Sequence, residues 1–75
     1  MSAPELVGKN VRAYRERLGI SQEDFADIAG LHRSYITQIE GGKRNVSIVN
    51  IFKIAKALGI EAYLLLIPES IKKKK

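Results

Sequence analysis

Apolar residues recur at helical spacing in several stretches of the chain, and glycines separate these stretches. In the first stretch the apolar positions are three or four residues apart, which is typical of one buried helix face: Val7, Val11, Tyr14 and Leu18. Ser2 precedes them, with Glu5 three residues later, and this capping-box pattern predicts where the helix begins. Gly19 predicts where it ends.

Three more helices follow from the same signals. Ser21 and Gly30 bound a second helix of about two turns, whose predicted apolar side is Phe25, Ala26, Ile28 and Ala29. A third helix is predicted over 33–40, before Gly41 and Gly42. Ser47 and Gly59 bound a fourth helix, whose predicted apolar face is Ile48, Ile51, Phe52, Ala55 and Leu58.

The segment 60–67 can be interpreted in two ways. Its composition favours a short fifth helix, but the alternation of Tyr63, Leu65 and Ile67 is also typical of a strand. We therefore expect an all-α, compact five-helix domain over 1–71, with a strand as the alternative for its last short segment. The run Lys72 to Lys75 predicts a disordered basic tail, either an electrostatic arm or a solubilising end.

Composition excludes several classes of protein. The chain has 75 residues and a formal charge of +5, but without Lys72 to Lys75 nine basic residues face eight acidic ones. There is no Cys and one histidine, His32, so we expect no metal site, no cofactor and no thiol enzyme. The longest apolar run, 62–67, is far short of the ~20 residues that cross a bilayer. No signal peptide is visible, and we expect an intracellular, cytoplasmic protein without membrane contact.

The third helix carries the most informative side chains. Its apolar residues Tyr35, Ile36 and Ile39 fall on one side, and the opposite side contains no acid and no lysine. That outward side holds one guanidinium, one amide and two hydroxyls, from Arg33, Gln38, Ser34 and Thr37. Such groups suit base edges in a major groove, with Arg33 for guanine, Gln38 for adenine and Thr37 for a thymine methyl. The alternative is an ordinary solvated helix face.

The stretch LGISQEDFADIAGLHRSYITQIEGGKRNVS, followed by IFKIAKALGI, resembles the Cro/phage-repressor type of helix-turn-helix, the XRE family. The matching elements include Ser21-Gln22, Ala26, Gly30, Ser34-Tyr35-Ile36 and Ile39-Glu40 with Gly42. The resemblance implies a lambda-repressor-like, DNA-binding domain in which helices two and three form the helix-turn-helix unit. It also implies that the base-reading residues are Arg33, Ser34, Thr37 and Gln38.

Further roles follow from the resemblance. Gln22 corresponds to a phosphate-contacting residue at the start of helix two, where exposed N–H groups attract anions. The loop Lys43, Arg44 and Asn45 corresponds to a second backbone-contacting segment, although ordinary loop charges are the alternative. His32 is expected, from its own position rather than from the resemblance, to begin helix three near phosphate. Arg15 and Glu40 correspond to an ion pair that joins helix one to helix three, which the resemblance implies is the recognition helix.

A domain of this size often gains stability by association. Because the leucines of 64–66 are too many to point inward together, we expect a homodimer contact containing Leu64, Ile67 and Ile71. The alternative is that these residues cover only their own core.

We therefore expect a dimeric, sequence-specific, double-stranded DNA-binding transcriptional regulator of prokaryotic or phage origin, acting on an inverted repeat. A restriction–modification controller is one form of such a regulator. The alternative from another class is an antitoxin that binds a protein partner and regulates its own operon. An enzyme is rejected, because the chain offers no nucleophile–base constellation and no metal set.

Overall fold

The computed structural model describes residues 1–68, which form four α-helices and a short 3₁₀-helix. Their bounds are Ala3–Leu18 for α1, Gln22–Ala29 for α2, Arg33–Glu40 for α3, Ile48–Leu58 for α4 and Ala62–Leu65 for the 3₁₀-helix. This part of the chain has no strand, so the all-α prediction is confirmed and the strand alternative is wrong. The fifth helix is one 3₁₀ turn rather than an α-helix. The predictions for Ile71 and the lysine tail lie outside the described residues.

Serine side chains begin three of the helices, as the sequence predicts. The hydroxyls of Ser2, Ser21 and Ser47 each accept a hydrogen bond from the backbone N–H three residues later, at 3.3, 3.0 and 3.1 Å. At Ser2 the capping box is complete, because its own N–H donates to Glu5 Oε1 at 2.8 Å. This backbone hydrogen bond, followed by that of the Ser2 side chain, lowers the pKa of the Glu5 carboxyl from its usual value.

Every helix contributes to a single core. The largest fully buried side chains come from α1, α2, α3, α4 and the 3₁₀-helix, and they are Val11, Phe25, Ile36, Ile39, Ile54 and Leu65. Because α2 and α3 are only eight residues long, neither would be stable in isolation. Their position therefore depends on packing against α1 and α4.

The predicted apolar faces differ from the buried ones at five positions, because Ile54 is buried without having been predicted and four predicted residues are exposed. On α4 the buried residues are Ile51, Ile54, Ala55 and Leu58. Ile48 and Phe52 instead lie in solvent, with 76% and 62% of their surfaces exposed. Ile28 of α2 and Leu18, in the last turn of α1, are exposed too. These four predictions are wrong, because helical spacing marks the apolar side of a helix but not how much of it the neighbouring helices cover.

Two small features of α1 determine how it meets the other elements. Asn10 is buried, and its amide donates to the carbonyls of Leu65 and Ile67 at 3.0 and 2.9 Å. It thereby joins α1 to the 3₁₀-helix. Gly8 lies so close to α3 that a Cβ atom there would overlap the carbonyl oxygen of Ile39. The sequence analysis assigned no role to either residue.

Candidate nucleic-acid interface

Helices α2 and α3 form a helix-turn-helix unit, joined by Gly30, Leu31 and His32. Gly30 adopts the left-handed conformation (φ 71°), which glycine tolerates best, and it ends α2. The N–H of Leu31 then donates to the carbonyl of Ala26 at 2.9 Å. Ala26 is buried, and its small side chain lets the two helices approach closely. The turn therefore holds α3 against α2 and presents its other side to solvent.

The outward side of α3 carries the four residues that the sequence analysis assigned to base reading. All four side chains are exposed, while Ile36 and Ile39 are buried on the opposite side: Arg33, Ser34, Thr37 and Gln38. His32 is exposed at the N-cap position and makes no side-chain capping hydrogen bond. The result is a neutral-to-basic polar surface on a helix whose other side is fixed in the core.

An ion pair joins α1 to the end of α3, at the residues where the sequence analysis expected it. The Arg15 guanidinium donates to both oxygens of Glu40, from Nε at 2.7 Å and from Nη2 at 2.9 Å. Its Nη1 donates to the Ile20 carbonyl at 2.8 Å. The side chains of Arg15 and Glu40 are only 12% and 3% exposed. The hydrogen bond to Glu40 raises the pKa of Arg15 above its usual value, so this guanidinium keeps its positive charge.

Gln22 makes contacts within the protein that the sequence analysis did not foresee. Its amide nitrogen donates to Glu40 Oε1 at 3.0 Å, and its amide oxygen accepts from the Thr37 hydroxyl at 2.9 Å. The side chain is half-buried. One of the two hydrogens of the amide that was expected to serve a phosphate is thus engaged with Glu40. Gln22 links α2 to the outward side of α3.

The basic loop after α3 is tied to that helix by Arg44. Lys43, Arg44 and Asn45 are all exposed. The Arg44 guanidinium lies 4.8 Å from the centre of the Tyr35 ring and donates to Gln38 Oε1 at 3.0 Å. Arg44 is therefore more than an unattached loop charge, because a cation over an aromatic ring and a hydrogen bond both hold it beside α3.

Tyr35, which the sequence analysis placed on the apolar side of the third helix, lies at the edge of the core. It is half-buried, and its hydroxyl accepts from the Asn50 amide at 3.0 Å. The sequence signal for the contact between Tyr35 and Arg44 was available: a tyrosine at the border of an apolar helix side, with a basic loop after the helix.

The residues that were expected to form a dimer contact are not exposed as predicted. Leu64 is 6% exposed and belongs to the core of its own chain, and Ile67 is half-buried against that core. Ile71 lies outside the described residues. The expectation for Leu64 is therefore wrong, because the 3₁₀ turn directs this side chain inward. The exposed apolar side chains nearby are instead Ile48, Val49, Phe52, Tyr63 and Leu66.

Two further observations concern residues 1–68. No group of His, Asp or Glu side chains there is arranged to hold a metal ion. None of the helices in this part of the chain combines the length and the apolar character needed to cross a membrane.

Comparison with known proteins agrees with this geometry. The helix-turn-helix family HTH_3 matches residues 11–65, which include all of α2, α3 and α4. The chain belongs to this family. Members of the XRE type are DNA-binding transcriptional regulators and not enzymes, and the resemblance stated from the sequence is confirmed.

Relatives of this helix-turn-helix protein include controllers of restriction–modification systems. Control protein C.SmaI of Serratia marcescens is 40% identical over 72 residues, covering 96% of this chain and 86% of the relative. Control protein C.BamHI of Bacillus amyloliquefaciens is 51% identical over 57 residues, covering 75% and 70%. The crystal structure of the restriction-modification controller protein C.AhdI from Aeromonas hydrophila superposes with a TM-score of 0.80 at 47% identity, covering 83% of this chain and 94% of that one.

Proposed function

We propose that this regulator binds an inverted repeat in double-stranded DNA as a homodimer, with α3 of each protomer in the major groove. The observation that carries the proposal is the outward side of α3, where four exposed hydrogen-bonding side chains stand on a helix without an exposed acid beside them. A helix that reads bases has to be held in a fixed position, and the Arg15–Glu40 pair together with Gln22 holds α3. The proposal includes action in the cytoplasm, where bacterial DNA is located.

Phosphate contacts are assigned to the residues that flank α3. Lys43 and Arg44 are exposed cations directly after the helix, and His32 is exposed directly before it. Asn45 is the remaining polar residue of the loop. Gln22 uses one of its two amide hydrogens for Glu40, so its phosphate contact is assigned to the second amide hydrogen together with the backbone N–H groups at the start of α2. Contacts of this kind determine the register of the protein on DNA rather than its sequence preference.

The dimer face is assigned to the exposed apolar residues of α4 and of the 3₁₀-helix, together with Leu66, which follows the 3₁₀-helix. Ile48, Phe52, Tyr63 and Leu66 line one concave apolar surface, to which no residue of α2 or α3 contributes. On α4 the apolar arc is wider than the part that the core covers, as Ile48 and Phe52 show. A second copy of the chain is the occupant that we propose, because a two-fold contact here leaves both recognition helices free.

We propose the kind of genes that this protein regulates from the names of its relatives. Because C.SmaI and C.BamHI are named control proteins and C.AhdI is named a restriction-modification controller, we propose the same class of role for this chain. The expected operator then lies upstream of genes for a restriction–modification system. An antitoxin role becomes the next hypothesis only if the DNA test fails.

The test is an affinity selection of random duplex DNA at near-physiological salt. We expect enrichment of an inverted repeat whose half-sites are centred ~34–36 Å apart, one helical turn. The matched control is the Arg33→Ala, Gln38→Ala double variant, whose substitutions lie on the exposed side of α3 and leave the core intact. Binding by the wild type without any enriched sequence would contradict the proposal, and the search would turn to a protein partner.

A further inference from the structure

Side chains of α1, α2 and α3 form one continuous series of hydrogen bonds that ends on the outward side of the recognition helix. Arg15 donates to Glu40, the Gln22 amide nitrogen donates to Glu40 Oε1 at 3.0 Å, and the Thr37 hydroxyl donates to Gln22 Oε1 at 2.9 Å. The series begins at a nearly buried ion pair. Its last member, Thr37, is exposed.

Glu40 determines the direction of the whole series. A carboxylate paired with a guanidinium has only acceptors to offer, so the Gln22 amide must present its nitrogen to Glu40. The amide oxygen then faces Thr37, and the amide cannot be turned over without placing two oxygens against each other. Two hydrogen bonds from Arg15 hold the carboxylate in place. The orientation of Gln22 is thus imposed from inside the protein.

Both hydrogen-bond neighbours of the Thr37 hydroxyl are acceptors. One is Gln22 Oε1 at 2.9 Å, and the other is the backbone carbonyl of Arg33 at 3.1 Å. A hydroxyl has a single hydrogen, and either choice directs that hydrogen back into the protein. The Thr37 oxygen can therefore offer only a lone pair to a partner outside the protein.

We infer that Thr37 determines specificity by accepting a hydrogen bond from the exocyclic amino group of adenine or cytosine. In the major groove adenine N6 and cytosine N4 are donors, whereas guanine O6 and thymine O4 are acceptors. An oxygen that can only accept a hydrogen bond therefore favours adenine and cytosine. Opposite guanine or thymine its lone pair would face the lone pair of O6 or O4. This differs from the thymine-methyl contact expected from the residue type alone. The inference rests on the proposed function, because it requires α3 in the major groove.

The test repeats the selection of random duplexes with two matched variants. Thr37→Ser keeps the hydroxyl and removes the methyl group, whereas Thr37→Val keeps the shape and removes the hydroxyl. We expect the wild-type half-site to contain one position restricted to adenine or cytosine on one strand. Thr37→Ser should retain that restriction, and Thr37→Val should lose it while the other enriched positions stay unchanged.

A base analogue then removes the amino group alone. Purine in place of that adenine, or 2-pyrimidinone in place of that cytosine, should weaken binding by the wild type and by Thr37→Ser by about three- to tenfold, the value of one hydrogen bond. Binding by Thr37→Val should change less than twofold. Because the analogue alters base pairing equally for all three proteins, the valine variant corrects for any change in the duplex itself.

Failure of the inference is distinguishable from failure of the proposed function. The inference is overturned if Thr37→Val keeps the restriction, if Thr37→Ser loses it, or if the position that responds is restricted to guanine or thymine. In each case an enriched half-site still supports the proposed function. If the wild type enriches no sequence at all, the proposed function fails, and the inference fails with it.

Discussion

Arg33 and Lys43 are both exposed cations close to α3, but they stand in different places. Arg33 is the first residue of α3 and lies on its outward side, whereas Lys43 lies in the loop beyond the end of the helix. A guanidinium in the groove can bond guanine O6 and N7 together, whereas an ammonium beside the groove meets only phosphate. The same formal charge therefore has two different expected roles.

For Arg33→Ala we expect a loss of about 1–3 kcal/mol in binding the selected operator and a relaxed preference at one base position. For Lys43→Ala we expect weaker binding to all duplexes alike and a salt slope reduced by about one. Titrations of operator and scrambled duplexes at several salt concentrations measure both effects. Equal losses on operator and scrambled DNA for both variants would contradict the base-reading role of Arg33.

At the scale of the elements, α1 and α3 approach each other more closely than an ordinary helix pair because Gly8 has no side chain. The atoms opposite Gly8 are backbone atoms of Ile39 and Glu40, which cannot move aside as a flexible side chain could. This contact supports the recognition helix from behind, beside the Arg15–Glu40 pair. Glycine in a helix costs about 0.5–1 kcal/mol relative to alanine, so the close approach has to offset that cost.

Gly8→Ala should accordingly reverse the usual effect of a glycine-to-alanine substitution in a helix. Helix propensity alone would raise the free energy of unfolding, but the added methyl group forces α1 away from α3, and we expect a net loss of about 1–3 kcal/mol. Urea unfolding monitored by circular dichroism measures it. Lys9→Ala, on the exposed side of the same helix, is the control and should stay within about 0.5 kcal/mol. A Gly8→Ala variant as stable as the wild type would show that the close contact is absent.

At the scale of the whole molecule, the exposed apolar residues are unevenly distributed. Ile48, Val49 and Phe52 come from one helix, and Tyr63 and Leu66 follow shortly afterwards in the chain. Single exposed apolar side chains are common on protein surfaces, whereas Ile48, Phe52, Tyr63 and Leu66 line one concave surface, on which the proposed dimer face rests.

Phe52→Glu tests the proposed dimer face. A carboxylate in the middle of an apolar contact remains without a partner there, so we expect the solution mass to fall from dimer to monomer and binding to the inverted repeat to weaken. Ile28→Glu is the matched control, because Ile28 is as exposed as Phe52, at 61% against 62%, and does not line that surface. Light scattering gives the mass. A Phe52→Glu protein that keeps the wild-type dimer mass would place the contact elsewhere.

Leu64 illustrates that the sequence predicts the apolar side of an element but not which of its residues the rest of the protein covers. Its position in a run of leucines indicated an apolar segment, but the choice between core and interface depended on the 3₁₀ turn, which directs Leu64 inward and leaves Leu66 outside. The same limit applies to Phe52, which lies on the apolar side of α4 but beyond the reach of the other helices. In both cases the side of the element was predictable and its coverage was not.

Short-range signals allow the helix boundaries, the helix-turn-helix unit and the family to be predicted from the sequence. The hydroxyls of Ser2, Ser21 and Ser47 bond to groups three residues away, and Gly30 adopts its conformation within one turn. The outward side of α3 followed from helical periodicity alone. Three contacts became visible only in the folded chain: the partners of Gln22, the close approach at Gly8 and the bond from Asn10 to the 3₁₀-helix. Each of these brings together residues far apart in the chain, and no local pattern encodes which of them meet.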